Sequence, residues 1–198
     1  MIECRNLRCG IVDIDFASLP PGIIAVTGRN GSGKTTFLRL LAGLSYPESG
    51  DVRINTHRPE DIHCGWIGDA PDKNLIFATV ASEISSPLWF THQPAELVKE
   101  AVSNVAFELG ISHLLSRNVR ELSGGEKVLV SLATALVSSP TLLIMDESDA
   151  YLDKETALRV YSCVRAHFVS YVVYTTHWPD ASLLADMCIC FENGRLIG

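Results

Sequence analysis

The chain has 198 residues, of which 23 are acidic and 16 basic, giving a formal net charge of −7. Hydrophobic residues make up 47% and charged residues 20%, too apolar for a disordered chain and enough, at this length, for one core with room for a subdomain. The acidic balance argues against sequence-general binding to nucleic acid, so no nucleic-acid partner is expected; and although the mean hydropathy is +0.20, no apolar run approaches the roughly 20 residues of a membrane-spanning helix.

In chain order, residues 11–16 alternate, with Val12, Ile14 and Phe16 predicted on one face and Asp13 and Asp15 on the other, as in a half-exposed strand. Residues 22–27 are continuously apolar and read as a buried strand. A helix follows with Phe37, Leu38, Leu40 and Leu41 on its apolar side and Gly43 as its stop. Residues 52–54 and 64–67 are further short strands. Beyond Pro71 the texture changes. Residues 94–109 read as an amphipathic helix with Leu97, Ala101, Val105 and Leu109 in one stripe, ended by Gly110, and residues 125–137 as a second helix. Strand character returns at 142–145, 171–176 and 188–191, with a helix at 154–167 between the first two. Strand–helix–strand at both ends with helices between predicts an α/β fold built on a parallel sheet with a helical insert.

The six cysteines, at 4, 9, 64, 163, 188 and 190, make no C-x-x-C pair and are too sparse for a disulfide framework. Buried, reduced thiols are expected, with Cys188 and Cys190 on one face of a strand. The first residues do not have the pattern of a signal peptide, and a reducing cytoplasm fits best.

The segment Gly28-Arg29-Asn30-Gly31-Ser32-Gly33-Lys34-Thr35-Thr36 matches G-x-x-x-x-G-K-[ST] between a buried strand and a helix. Glycines let backbone N–H groups curl around phosphate without Cβ clashes, and a helix N-terminus adds partial positive charge. Residues Asn30 to Thr36 would cradle phosphate, Lys34 would reach the β- and γ-phosphates, and the Thr35 hydroxyl would ligate Mg²⁺. An ordinary glycine-rich turn would not need the Lys-Thr pair.

A second signal is Leu142-Leu143-Ile144-Met145-Asp146-Glu147: four apolar residues with two carboxylates at the C-terminal tip, the edge where parallel sheets place their ligands. Alone it could be a strand meeting solvent. Beside a phosphate loop, Asp146 is expected to hold Mg²⁺ through water and Glu147 to polarise an attacking water.

The third is Leu122-Ser123-Gly124-Gly125-Glu126 at a helix start. Ser123 and Glu126 fit a capping box, which leaves Gly124 and Gly125 unexplained; paired glycines there suit another phosphate-approaching terminus. With this segment the chain resembles the ATP-binding cassette (ABC) ATPases, whose signature reads LSGGE or LSGGQ. The order of motifs agrees: phosphate loop, signature, acidic strand tip, Ala150-Tyr151-Leu152-Asp153 resembling the D-loop, and His177 resembling the switch histidine. Asp153 would serve equally as a helix N-cap.

The resemblance implies a P-loop NTPase core with a mostly parallel sheet (1–71 and 138–198), an N-terminal antiparallel β part, and an inserted helical subdomain (72–137) ending in the signature helix. It implies an Mg²⁺-dependent ATPase acting as the cytoplasmic subunit of a transporter, peripheral at the inner face of the membrane. Two cassettes, identical or not, would pair head to tail around ATP, and Ser123 and Gly125 would touch the γ-phosphate held by the second ATPase subunit. Glu147, His177 and Lys34 would be the catalytic set. A transmembrane transporter subunit would be gripped near Phe77, Leu88, Trp89 and Phe90, residues that could equally be core of the helical arm.

Residues 71–76 with Thr79 and Val80 resemble the energy-coupling factor ATPases of vitamin and cobalt/nickel importers. There a Gln contacts Mg²⁺ and the γ-phosphate region; here that position is Asp69, which can bind metal or water but, when ionised, donates no hydrogen bond. An ATP-gated clamp with weak hydrolysis is therefore the alternative reading. The adenine-stacking aromatic is missing, Arg8 or Cys9 falling near its place; Leu129 and Thr134 stand where relatives often carry Arg. The sequence is expected to lack the extra C-terminal dimerisation domain of many relatives.

Overall fold

The structure is a computed structural model describing residues 1–70, 75–89, 91, 93–167, 169–176 and 184–197, with backbone alone for Tyr151 and Arg159. The chain forms two compact units. The first comprises Met1–Trp66, Thr141–Asp146 and Val169–Gly198, the second Ile67–Pro140 and Glu147–Phe168.

Among the described residues, the first unit is built on two sheets. β1 (Ile2–Cys9), β2 (Val12–Leu19) and β4 (Ser49–Ile54) form an antiparallel sheet in the order β2-β1-β4. β3 (Gly22–Gly28), β5 (Cys64–Ile67), β6 (Leu142–Met145), β7 (Tyr171–Thr175), β8 (Met187–Glu192) and β9 (Arg195–Ile197) form the other, in the order β5-β6-β7-β3-β8-β9. β6, β7, β3 and β8 pair in parallel, and β9 returns antiparallel on β8. Every residue of β6 and β7 is buried, as continuous apolar runs require in a sheet covered on both faces.

α1 (Lys34–Leu41) follows β3 directly, and Phe37, Leu38, Leu40 and Leu41 are all buried in the core. The Phe37 ring lies 5.1 Å from that of Phe191 on β8; each such side chain contributes about 1.5–3 kcal/mol by leaving water. The helix stops at Gly43, whose φ of +71° and approach to Glu60 N (2.9 Å from an added Cβ) admit only glycine.

Two strands escaped the sequence reading, and one face was assigned wrongly. Val12 and Ile14 are buried, but Phe16 is 63% exposed and Ala17 takes the inward place. The cause lies on the neighbouring strand. Asn6 adopts a left-handed conformation (φ +48°), and the β1–β4 register shifts between Arg5 and Arg8. Two successive residues then face outward on β1 and again on β2, so the inward phase slips by one. The same bulge puts Cys4 and Leu7 three apart and hides the alternation of β1. β9 is only three residues long and carries no period.

The second unit holds α2 (Val80–Ser85), α3 (Ala95–Glu108), α4 (Gly124–Leu136) and α5 (Lys154–Ala166). α3 packs against α2 and α4 through Val102, Val105, Ala106 and Leu109, whereas Leu97 is exposed. The predicted i, i+4 stripe therefore holds only in the C-terminal half of the helix, because its first turns meet solvent. Leu88 is core, while Phe77 and Trp89 stack edge-on at 4.6 Å with Trp89 half-exposed. Leu129 is buried in α4, and the Thr134 hydroxyl donates to Val130 O at 2.9 Å.

No disulfide joins the six cysteines; Cys4 is buried, Cys188 exposed and the others half-buried. The expectation of uniformly buried thiols thus fails at Cys188, an exposed position on β8. Burial pushes Cys4, which also feels the charge of Asp51, and Cys64 up to about 12. Among the described residues no helix is long and apolar enough to cross a membrane.

Candidate functional site

β3 delivers the chain to the C-terminal edge of the parallel sheet, and the glycine loop turns there into α1. Gly28 (φ +137°) cannot carry a side chain, since a Cβ would lie 2.3 Å from Phe191 O and 2.9 Å from Ser32 Oγ. Gly33 caps α1 in a left-handed conformation (φ 110°), so the helix begins at Lys34 with its first-turn N–H groups at the loop. Ser32 N donates to Arg29 O at 3.1 Å and Phe37 N to Gly33 O at 2.9 Å.

Lys34 is buried, and its Nζ donates to Gly28 O at 3.0 Å and Arg29 O at 3.2 Å, which folds the ammonium back over the loop. The Ser32 hydroxyl is buried without a hydrogen-bond partner among the described residues, and a buried hydroxyl ordinarily has one. Asn30, Gly31 and Thr35 are exposed and Thr36 half-buried. An unspent hydroxyl, a flexible ammonium and a helix N-terminus around a glycine cradle fit an anion with several acceptor oxygens, as a polyphosphate is.

One supporting residue was missed in the sequence. Gly194 N donates to Ser32 O at 2.9 Å while Gly194 O accepts from Asp13 N at 2.8 Å, so the β8–β9 turn clamps the loop to β2. A Cβ on Gly194 would fall 1.7 Å from Ile11 O. The Asn193-Gly194 pair, with φ 49° and 84°, is the dipeptide that marks a tight hairpin, and it was legible as such.

β7 lies between β3 and β6, with Val26 level with Thr175 and Met145 level with Tyr174. Asp146, the residue after β6, therefore shares the sheet edge with the glycine loop. Asp146 is 4% exposed and its Oδ1 accepts a 2.9 Å hydrogen bond from the Thr175 hydroxyl. Glu147 follows in a left-handed conformation (φ 48°, ψ 27°), a strained backbone for a residue other than glycine, of the kind that clusters at functional sites. Among the described residues no group of three or more His, Cys, Asp or Glu could hold a metal alone. The oxygen donors Thr35 and Asp146 instead suit a hard cation held jointly with phosphate oxygens, the usual manner of Mg²⁺.

Asp69, Ser123, Gly125 and Asp153 lie in the second unit. Asp69 is exposed, just beyond β5. Ser123 caps α4: its Oγ accepts from Glu126 N at 3.3 Å, and Glu126 Oε2 accepts from Ser123 N at 2.7 Å. Hydrogen bonding to the carboxylate from the Ser123 backbone and then its side chain, helped by the charge of Arg117, holds the Glu126 carboxyl below its ordinary range. Ser123 is exposed and Gly125 half-buried. Asp153 caps α5 through Thr156 N at 2.8 Å and the Thr156 hydroxyl at 3.0 Å, which lower its pKa. His177, residues 71–74 and Phe90 lie outside the described residues. In the first unit Arg8 is bound to Asp13 and Asp15, each at 2.6 Å, and Cys9 Sγ faces Tyr46 O at 3.8 Å.

Comparison with known proteins bears on this arrangement. The ABC transporter family model matches residues 12–150. The chain is similar to the energy-coupling factor transporter ATP-binding protein EcfA1 of Mycoplasmopsis pulmonis, with 32% identity over 204 residues covering 98% of this chain and 77% of the relative. The protein of the same name from Mycoplasma pneumoniae is 32% identical over 202 residues, 98% of this chain and 71% of the relative. Among solved structures, cbiO1 from Clostridium perfringens, described as part of the ABC transporter complex cbiONQ, shares the fold with a TM-score of 0.90 at 23% identity, over 100% of this chain and 86% of that one. The dimeric bacterial ABC transporter cassette MJ0796 does so with a TM-score of 0.87 at 19% identity, over 100% and 97%. The family match and the identity to curated relatives together establish that this chain belongs to the ABC transporter family, as an ATPase of the ABC type.

Proposed function

We propose that the chain is the ATP-hydrolysing subunit of an energy-coupling factor type transporter, working as one of a pair of cassettes beneath a membrane partner. The observation that carries this is the glycine loop itself, with the buried Ser32 hydroxyl lacking a hydrogen-bond partner among the described residues and the Lys34 ammonium folded over it, on the same sheet edge as Asp146. In this reading residues Asn30 to Thr36 hold the phosphates of ATP. Lys34 moves from the loop carbonyls onto the β- and γ-phosphates. Thr35 and Asp146 hold Mg²⁺, which, when bound, neutralises phosphate charge. In the same reading Asp69 is a further candidate for contact with the ion. Glu147 orients the attacking water and accepts its proton, and His177 contacts the γ-phosphate.

A second cassette supplies Ser123 and Gly125 across the nucleotide, and triphosphate favours the closed pair through contacts that diphosphate cannot make. The relatives named as energy-coupling factor ATPases, and the neighbour described as part of a transporter complex, support a membrane partner and a place at the cytoplasmic membrane face. The helical unit holds a cleft of about 680 Å³ lined by Leu75 to Ala78 and Val119, with Arg120 and Lys127 at hand, and such a partner would be received near it. The helical insert of residues 72–137 would be the part that grips it.

Glu147→Gln should slow hydrolysis strongly while ATP-dependent dimerisation, read by size-exclusion chromatography with light scattering, survives. Loss of dimerisation in that variant would count against the closed-pair reading. The exposed carboxylate of Asp69 favours one alternative, a nucleotide-gated clamp beside a competent cassette. Turnover on the order of 1 per second or more from this subunit alone would exclude it.

A further inference from the structure

β7 reads Tyr-Val-Val-Tyr-Thr, and all five residues are buried. Its last residue, Thr175, is 1% exposed. Valine has nearly the same shape and would cost nothing in polar burial there, so a hydroxyl at this point needs a partner to be tolerated. One such partner is Asp146 Oδ1, at 2.9 Å. The β6–β7 ladder pairs Met145 with Tyr174, and the next residue along each chain is Asp146 and Thr175. A β-branched side chain on a strand has a restricted χ1, so the donor is aimed by the backbone. An aspartate is different: its χ2 torsion is broad, and its carboxylate plane is set by whatever binds it.

We infer that Thr175 is a positioning residue for the metal site. Its hydroxyl fixes the plane of the Asp146 carboxylate before metal and nucleotide arrive, so that the remaining coordination is made without reorienting the ligand. The bond is charge-assisted and buried, and outer-shell partners of metal-holding carboxylates characteristically act in this way. The inference rests on the reading of Asp146 as a metal-holding residue.

The test titrates Mg²⁺ against binding of a non-hydrolysable ATP analogue to the full chain by calorimetry, with a parallel measurement in EDTA. Thr175→Val should raise the Mg²⁺ concentration needed for half-maximal tightening roughly 10- to 100-fold, leave binding in EDTA unchanged, and lower the melting temperature by several degrees, as loss of a donor to a buried carboxylate does. Thr175→Ser, which restores a hydroxyl, should recover most of the loss. If Thr175→Val does not fold, Thr175→Ala is titrated in its place. A purely structural role would weaken binding equally with and without Mg²⁺, and that result overturns the inference. Asp146→Asn separates the two readings. If it shifts the Mg²⁺ dependence and Thr175→Val does not, positioning by Thr175 is wrong while the site stands. If Asp146→Asn leaves the dependence unchanged, the metal-holding reading of Asp146 fails, and the inference with it.

Discussion

Tyr161 on α5 donates a 3.0 Å hydrogen bond to Asp149 Oδ2 in the interior of the helical unit, where Asp149 is 1% and Tyr161 3% exposed. The bond ties the short 3₁₀ turn Ser148–Tyr151 to the helix that follows it. That turn begins directly after Glu147 and leads into residues 150–153, the stretch resembling the D-loop, so the strained backbone at Glu147 is backed by a buried polar contact rather than by apolar packing alone.

Tyr161→Phe removes the hydroxyl and keeps the ring. It should destabilise the protein by about 1–3 kcal/mol, the usual effect of depriving a buried polar group of a partner. Urea unfolding measures this directly. A change below about 0.5 kcal/mol, the range of ordinary surface substitutions, would mean that the turn does not depend on this bond.

Glu83 is 3% exposed, and its Oε2 accepts from Ile76 N at 2.8 Å and Phe77 N at 2.7 Å. A carboxylate inside a helical unit stands because two backbone N–H groups meet it. Glu83→Ala should cost about 2–4 kcal/mol, and hydrogen exchange at the Ile76 and Phe77 amides should quicken more than elsewhere. Unchanged exchange at these two amides would contradict the anchoring role.

The thiols should divide by burial. With the folded protein at pH 8, Cys188 should be alkylated first, while Cys4 and Cys64, pushed up to about 12, stay protected. The pH dependence follows from the same shift: their ordinary value is 9.0 and their folded value higher. Their contribution to stability is complete below pH 9.0 and is lost as pH rises through about 12. Mass spectrometry of partially labelled protein showing Cys4 modified as fast as Cys188 would refute the ordering.

Asp69→Gln should be tolerated or raise turnover, because an amide can donate a hydrogen bond where the ionised carboxylate cannot. Steady-state kinetics read the outcome. A large loss of kcat would show instead that Asp69 has taken on a metal or water role of its own.

Much of this molecule was legible in the sequence because strong local patterns coincide with buried elements. The loop Gly28–Thr36, the apolar strands β3, β6 and β7, and the Ser123–Glu126 cap each state their structure in residue type and spacing. What was missed depends on partners distant in sequence. The face of Phe16 is decided by a bulge at Asn6 on another strand. The exposure of Leu97 depends on how far along α3 its neighbours reach. The clamp by Gly194 joins residues far from the loop. The strand at 171–176 is legible, but the role of Thr175 appears only in its hydrogen bond to Asp146, a residue on another strand.

The most direct test is Mg²⁺-dependent phosphate release by the purified wild-type chain, measured beside Lys34→Ala and Glu147→Gln. The proposed function predicts release that requires Mg²⁺, disappears in Lys34→Ala, and falls by about 10²-fold or more in Glu147→Gln. Wild-type release no greater than that of Lys34→Ala, or release indifferent to Mg²⁺, would contradict it.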